Sequence, residues 1–313
     1  MELVSIPGAG RGLRLTRDVG GGEILLEDRA VVVGPSPLSS PRDCVGCYCR
    51  PGVLQCRGCS SLVCSPECGQ TWHAGECPAL LSLPLPLPTP SPALWLNILR
   101  LQRSPDPRLA LLAGDSRGKQ GEYSELTTTR LGIPPAEAAR LQAVLASNTF
   151  RNATARCLCP VMAMVNHSCE PNCRVYWAAS SNPAHHRLVL EARRDLRAGE
   201  ELTITYCCSL LATPARQAKL RTSKGFECVC ARCSDPGERG SNTGGVLCTR
   251  CRQAVLLPHL QHQGGLAWAC SDNNCGFKPN TDKVGQRTAR DLRNYRKHFN
   301  CRFLSFLRSW KMR

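Results

Sequence analysis

Met162-Ala163-Met164-Val165-Asn166-His167-Ser168-Cys169-Glu170-Pro171-Asn172-Cys173 is the stretch on which the reading of this 313-residue chain turns. The apolar run from Val161 to Val165 stops at four polar residues, Asn166 to Cys169, and Pro171 follows. Pro171 pushes the residue before it towards an extended conformation, so neither a helix nor a strand continues easily. Asn166 and His167 carry donors and acceptors that need partners once buried. The stretch is expected to pass through a packed interior, turn, and commit its polar groups to a ligand or to another segment.

Downstream lies Gly199-Glu200-Glu201-Leu202-Thr203-Ile204-Thr205-Tyr206, with Leu202 to Tyr206 patterned as a short strand. Asn166-His167-Ser168-Cys169-x-Pro171-Asn172 and this second stretch resemble, in the expected order, the two signatures of SET-domain protein lysine methyltransferases. Two long motifs together are a specific signal, to be tested against structural context. The resemblance implies S-adenosylmethionine as cofactor, held by Asn166 and His167. It implies that Tyr206 is the active-site tyrosine, orienting the substrate lysine amine by its hydroxyl.

Residues 2–33 read as strands: Leu3 and Ile6, then Leu13 and Leu15, then Ile24 to Leu26 and Val31 to Val33, cut by glycines. Gly8-Ala9-Gly10-Arg11-Gly12 is not a dinucleotide loop. Such a loop opens a helix inside a βαβ unit, whereas Leu13-Arg14-Leu15-Thr16 alternates at strand period. By the resemblance, Gly10, Arg11 and Gly12 form the hairpin whose backbone approaches the cofactor. Gly20-Gly21-Gly22 is a turn.

Residues 44–77 carry C-x2-C-x8-C-x2-C-x4-C-x3-C-x4-H-x3-C, from Cys44 to Cys77. Eight ligands suit two tetrahedral zinc sites. A segment this poor in large apolar residues folds only with its metal. It resembles the MYND zinc finger, which implies interleaved sites: Cys44, Cys47, Cys64 and Cys68 in one, Cys56, Cys59, His73 and Cys77 in the other. Cys49 is spare and could compete with Cys47.

Proline recurs at every second position from Pro84 to Pro92, which no helix tolerates. Pro78 to Pro92 reads as an extended linker, with a ligand for a proline-reading groove as the less favoured alternative. MYND fingers as a family bind proline-rich peptides, so self-docking is a further option. From Ala93 the pattern is helical, with Leu94, Ile98, Leu101 and then Leu109 to Leu112. A second helix is predicted from Pro135 to Leu145, opened by Pro134-Pro135. The resemblance makes these helices an insertion in the SET domain, and places Asn148 against the cofactor. Val175-Tyr176-Trp177 and Arg187 to Leu190 read as paired strands, with Ser180-Ser181-Asn182-Pro183 as their turn. His185-His186 is assigned to a solvent loop.

Phe226-Glu227-Cys228-Val229-Cys230-Ala231-Arg232-Cys233 gives C-x-C-x2-C. Three cysteines leave one zinc position open; the resemblance implies that Cys169, far off in sequence, fills it as in the post-SET zinc of the family. Phe226 would cover the adenine. Many relatives carry an aromatic residue two positions before that Phe, walling the lysine channel. Lys224 stands there instead, either loosening the channel or lying outside it. Ser234 to Glu238 continues the resemblance towards the arthropod SmydA type of SET-and-MYND proteins. Cys248, Cys251, Cys270 and Cys275 then resemble a zinc ribbon, with zinc favoured over free thiols. Residues 286–313 are basic and carry a rough apolar stripe from Leu292 to Trp310. They read as a truncation, an alternative end or a docking helix, with nucleic-acid contact a minority option.

Lysine and arginine exceed aspartate and glutamate by sixteen. If fifteen of the 22 cysteines are thiolates around four zinc ions, the net charge drops by roughly seven, to about +9. That balance suits an acidic protein or nucleic acid, or simply a solvated surface. Met1-Glu2 opens without a basic region and apolar core, so no export signal is expected, and no apolar run reaches the ~18 residues of a membrane span. Twenty-two cysteines without an export signal favour metal over disulfides.

The expected fold class is a mixed, mostly β SET domain of short sheets with a helical insertion, an inserted MYND finger and small C-terminal zinc-stabilised modules. The expected division gives residues 1–43 to the N-terminal SET segment, 44–77 to the finger, 78–146 to the linker and insertion, and 147–210 to the SET core. Residues 211–240 are then post-SET, 241–280 the ribbon and 281–313 a basic helical tail. The expected function is lysine methylation of a histone or another protein, in the nucleus and cytoplasm, by a monomer. The alternative is a zinc-finger adaptor for proline-rich partners with a weak SET core. DNA binding through the basic surface ranks last.

Overall fold

The computed structural model describes residues 1–81, 95–114, 132–152, 154–179, 186–260 and 266–279. The chain forms two compact units. The first comprises Met1–Tyr206 with Ser223–Gly225, and the second Cys207–Thr222 with Phe226 onwards.

The first unit is assembled from short sheets. Strands β1 (Glu2–Ile6) and β2 (Gly10–Arg14) form a hairpin in which Leu3 faces Leu13 and Val4 faces Gly12. Gly8 and Gly10 take φ of +74° and +80°, the left-handed region that glycine enters without penalty. β3 (Ile24–Arg29) and β4 (Val32–Pro35) follow. The small hairpin β5 (Leu54–Gln55) and β6 (Leu62–Val63) belongs to the finger. β7 (Thr149–Asn152) and β8 (Ala155–Leu158) join β4 in the antiparallel order β4-β8-β7. β9 (Asn166–His167) is two residues long. β10 (Cys173–Trp177) and β11 (Arg187–Ala192) pair with β3 in the order β10-β11-β3, with a register shift at Leu190/Glu191. The central strand β11 has Leu188, Val189 and Leu190 all buried, as expected for a short apolar run covered on both faces. β12 (Thr203–Ile204) pairs with β9 in parallel. The strand expected over Leu202 to Tyr206 is thus only two residues long, because its partner offers only Asn166 and His167.

Two helices of the insertion are described. α1 (Trp95–Arg103) buries Leu96, Ile98, Leu99 and Leu101. α2 (Pro135–Asn148) opens on proline and buries Ala138, Leu141, Val144 and Leu145, an apolar face at spacings of three and four. Leu109 to Leu111 lie in a single 3-10 segment, Pro107–Leu111, started by the Asp106 side chain. Cys77–Leu81 is a short helix, so the first residues of the expected linker are not extended. Pro78 is compatible with that, because proline is tolerated in a first helical turn. Residues 82–94, the turn 180–183, His185 and the tail 281–313 lie outside the described residues.

His186 corrects the solvent-loop assignment. It is buried, its Nδ1 is 3.2 Å from Asn152 Nδ2, and its carbonyl accepts from Ala30 N at 2.8 Å.

α3 (Thr213–Lys224) starts at Thr213-Pro214; it belongs to the second unit as far as Thr222, while Ser223 and Lys224 belong to the first. It buries Arg216 completely against Glu238, which also accepts from Arg232 and from the N–H of Thr213. A buried charge requires such pairing. Strands β13 (Val246–Leu247), β14 (Val255–Leu260) and β15 (Leu266–Cys270) make one antiparallel sheet in that order. Leu256, Trp268, Cys248 and Cys270 form its small core.

Candidate functional site

The interior of the first unit ends where Val165 meets Asn166. Met162–Met164 is one turn of 3-10 helix, started where Met162 N donates to Asp28 Oδ2 at 2.8 Å. Asp28 is 1% exposed and also accepts from Arg108 at 3.1 Å. Burial pushes its carboxyl up, against the pull of the Met162 N–H and of Arg108. This carboxylate aims the motif, and nothing in the local sequence singles it out.

Asn166 and His167 then run parallel to Thr203 and Ile204, and Ser168 N donates to Ile204 O at 3.0 Å. Asn172 completes the clasp. Its Nδ2 donates to Glu201 O at 2.8 Å, and its Oδ1 accepts from Thr203 N at 2.8 Å. The two motifs, about thirty residues apart, are therefore one piece of structure.

Asn166 Nδ2 donates to Arg11 O at 3.1 Å and to Glu201 Oε1 at 2.8 Å. Those two bonds bring the glycine hairpin to the motif. A Cβ on Gly12 would stand 2.7 Å from Asn166 Nδ2 and 3.0 Å from Glu201 Oε1. Gly12 is required by close approach. Glu201 holds Asn166, a role its place in the second motif does not suggest.

His167 Nδ1 accepts from Tyr206 N at 2.9 Å. In the neutral ring the proton therefore sits on Nε2, which lies 3.3 Å from the buried Cys169 Sγ. Tyr206 is half-buried, just past the end of β12, and its hydroxyl donates to Val165 O at 2.7 Å. Burial, and secondarily the charge of Glu201, push its phenol up to about 12. It stays neutral at physiological pH, with its oxygen lone pairs left to accept an N–H. Lys224 Nζ lies 5.2 Å from the centroid of the Tyr206 ring and donates to Ser147 O at 2.6 Å.

Gly10, Arg11, Gly12, Asn166, His167 and Tyr206 thus gather in the first unit. Asn148 ends α2, where its Nδ2 donates to Ala113 O and Val144 O, each at 2.8 Å. Phe226 belongs to the second unit and is half-buried.

The finger holds two sets of donors whose ligand atoms lie within 4.8 Å of one another: Cys44, Cys47, Cys64 and Cys68, and Cys56, Cys59, His73 and Cys77. Sulfur separations are 3.5 Å for Cys44–Cys68, 3.9 Å for Cys47–Cys64 and 3.7 Å for Cys56–Cys77. Zinc–sulfur bonds of about 2.3 Å in a tetrahedron put sulfurs about 3.8 Å apart, so the sets fit zinc. His73 turns Nε2 towards Cys59 Sγ at 3.4 Å. A Cβ on Gly46 would meet Cys68 Sγ, and one on Gly58 would meet Cys77 Sγ, each at 2.7 Å. The glycine in each C-x2-C knuckle makes room for a sulfur from elsewhere in the finger. Cys49 stands outside both sets. Its sulfur faces Asn152 O and His186, and burial pushes its thiol up to about 12. It is no competitor for Cys47.

Arg100 of α1 joins the finger to the core. It pairs with Glu76 at 2.5 and 2.7 Å and donates to Val45 O, Gly46 O and Val33 O. In the second unit, Cys248, Cys251, Cys270 and Cys275 form a third complete set, with sulfur separations of 3.8 and 3.9 Å. Cys228, Cys230 and Cys233 gather their sulfurs within 4.8 Å.

Asn166 and His167 are thus clasped against Thr203 and Ile204, with Tyr206 just beyond that strand and the glycine hairpin bonded to Asn166. The SET-domain family model matches residues 10–207, which contain all of these residues, and the chain belongs to that family. Among curated relatives, the SET domain-containing protein SmydA-8, isoform A, of Drosophila melanogaster is 27% identical over 79% of this chain and 59% of its own length. The histone-lysine N-methyltransferase SMYD3 of Mus musculus is 45% identical over 24% of this chain and 16% of its own. The histone-lysine N-methyltransferase ASHR1 of Arabidopsis thaliana is 24% identical over 76% of this chain and 56% of its own. The chain spans about three fifths of the length of the SmydA-8 relatives. Among solved structures, the SET domain of LSMT bound to lysine and AdoHcy covers 90% of this chain and 64% of that one, at 12% identity and a TM-score of 0.38. That likeness is too loose to transfer geometry. No helix among the described residues is long and apolar enough to cross a membrane.

Proposed function

We propose that the chain is an S-adenosylmethionine-dependent protein-lysine N-methyltransferase acting on a histone or another protein. The observation that carries this is the bond from Tyr206 N to His167 Nδ1. It fixes the tyrosine of one motif against the Asn-His corner of the other. The cofactor would be held by Gly10, Arg11, Gly12, Asn166 and His167, with Asn148 and Phe226 as further contacts. When bound it supplies an electrophilic methyl group on a sulfonium.

The chain's own residues deal with the amine. A lysine needs about 4.6 kcal/mol to lose its proton at pH 7. A dry site beside a positive charge disfavours the ammonium form. Tyr206, kept neutral by burial and held by Val165 O, presents an oxygen that accepts from the incoming amine and orients its lone pair. Positioning of this kind contributes much of the remaining acceleration.

Zinc would be structural throughout: two ions in the finger, one in the C-terminal ribbon, and one completed by Cys169 with Cys228, Cys230 and Cys233. Cys169 is a buried sulfur beside the His167 Nε2–H, and a three-cysteine set lacks one of the four ligands of a structural zinc. We place the activity in a monomer of the nucleus and cytoplasm, with proline-rich peptides as partners for the finger. Val53 and Leu54 are exposed there.

A second reading, an adaptor with a weak catalytic core, draws on one observation, the ammonium of Lys224 over the Tyr206 ring. Titration calorimetry separates the two. Zinc-loaded wild type should take up S-adenosylmethionine and His167→Ala should not. Absence of heat from wild type would remove the enzyme and leave the adaptor.

A further inference from the structure

Lys224 lies where three features that attract a cation converge. The first is the face of Tyr206, whose ring centroid is 5.2 Å from Nζ. An aromatic face draws an ammonium through its quadrupole. The second is the Ser147 carbonyl, which accepts from Nζ at 2.6 Å. The third is the end of α2. Ser147 is its penultimate residue, so this carbonyl is among the four that the helix leaves unbonded. The helix dipole adds negative character there. The ring is not free to turn away, because its hydroxyl is bonded to Val165 O.

The lysine itself is aimed. It is the last residue of α3, and Gly225 follows at φ +78°. A lysine at a helix end often interacts only with its own last carbonyls. Lys224 instead reaches a carbonyl 77 residues earlier, on another helix. A carbonyl and an aromatic face around an ammonium are also the contacts by which a protein would recognise a substrate lysine before it loses its proton. We propose that Lys224 is an internal competitor: its ammonium occupies the lysine-recognition site beside Tyr206, and a substrate lysine must displace it. This rests on the lysine methyltransferase reading and adds a built-in restraint to it.

The test uses the zinc-loaded full chain and n-butylammonium, a mimic of the lysine side chain, followed by saturation-transfer NMR. Lys224→Ala should bind the probe at least about tenfold more tightly than wild type, and the gain should vanish in Lys224→Ala/Tyr206→Leu. Lys224→Arg, which keeps a cation, should behave as wild type. Should circular dichroism show Lys224→Ala unfolded, Lys224→Ser serves in its place. Equal affinity in wild type and a folded Lys224→Ala or Lys224→Ser overturns the competitor. So does peptide mapping that finds a methyl group on Lys224 after incubation with S-adenosylmethionine, since the residue would then be a substrate. S-adenosylmethionine calorimetry on the same samples keeps the two readings apart. If it gives no heat while the probe still gains affinity, the cation site stands and the methyl-transfer reading falls.

Discussion

The backbone N–H of Tyr206 donates to the Nδ1 of His167 across 2.9 Å. Thirty-nine residues separate the two, and the bond sets the tautomer of one and the position of the other. Because the backbone of Tyr206 makes it, the phenol can be removed without disturbing it.

Tyr206→Phe therefore keeps the link to His167 and loses only the hydroxyl that donates to Val165 O. We expect unchanged S-adenosylmethionine affinity, a stability loss of about 1 kcal/mol, and turnover reduced on the order of 10²-fold. Single-turnover kinetics beside calorimetry check this. Loss of cofactor binding in this variant would contradict the separation of roles.

The same phenol predicts a pH dependence. Burial raises its pKa to about 12, above the ordinary value near 10. The folded state thus holds this proton more tightly than the unfolded state. The contribution to stability is complete below pH ~10 and is lost as pH rises through about 12. Ultraviolet titration of folded wild type should find Tyr206 still protonated at pH ~11, beside Tyr48, which burial also raises. Tyr206→Phe should lack one of these late-ionising phenols. The rate should climb with pH as substrate amine deprotonates, with no descending limb from Tyr206 below pH ~10.

Arg100→Ala should be among the most damaging substitutions in the chain. The Arg100 and Glu76 side chains are 4% and 7% exposed. Truncation leaves a buried carboxylate uncompensated and strips a donor from three carbonyls, at a cost of about 3–5 kcal/mol. Glu76→Gln keeps a hydrogen-bonding group opposite Arg100 and should cost less. Chemical denaturation of both variants tests the order.

Metal removal should act on the fold before it acts on chemistry. Each finger set is built from sulfurs 3.5 to 3.9 Å apart, which repel as thiolates without a cation between them. A strong chelator is expected to unfold residues 44–77 and to lower the melting temperature of the whole chain. Mass spectrometry of the native protein should count four zinc ions, and Cys169→Ser should reduce the count to three. A count of four in that variant would break the proposed link from Cys169 to the cysteine triplet.

Gly12→Ala puts a methyl group 2.7 Å from Asn166 Nδ2. The Asn166 bonds to Arg11 O and Glu201 must then lengthen. Cofactor affinity should fall at least about tenfold (~1.4 kcal/mol) while far-ultraviolet circular dichroism stays native. Gly8→Ala meets no atom within 4 Å. It carries only the strain of a left-handed backbone and should leave cofactor affinity unchanged.

The local plan of this molecule can be read from its residues wherever chemistry repeats at short range. The eight-donor spacing of Cys44 to Cys77, the alternation of Leu13-Arg14-Leu15 and the Pro-opened helix α2 each announce themselves locally. The Asn-His and Gly-Glu-Glu motifs announce a site, but not its supports. Asp28, Glu201 and the Val165 carbonyl act through contacts that join strands far apart in the chain, and no periodicity encodes such contacts. The helix α3 escapes notice although Thr213-Pro214-Ala215 is a fair helix start. His186 is easily misplaced because a polar pair beside an Asn-Pro looks like a loop, while its burial depends on Asn152 and Cys49 from other segments. Lys224 stands out as a departure from the motif, but which carbonyl it reaches is decided by a helix 77 residues away.

The guanidinium of Arg100 has a consequence for trimming this protein to its SET domain. It grows from the SET insertion, yet its carboxylate and two of its three carbonyl acceptors, Glu76, Val45 and Gly46, come from the cysteine-rich module. Excising that module would strand a full positive charge in the interior of what remains. The finger is thus no detachable accessory: a shortened SET domain would need a neutral residue designed at position 100 before it could be expected to stand alone.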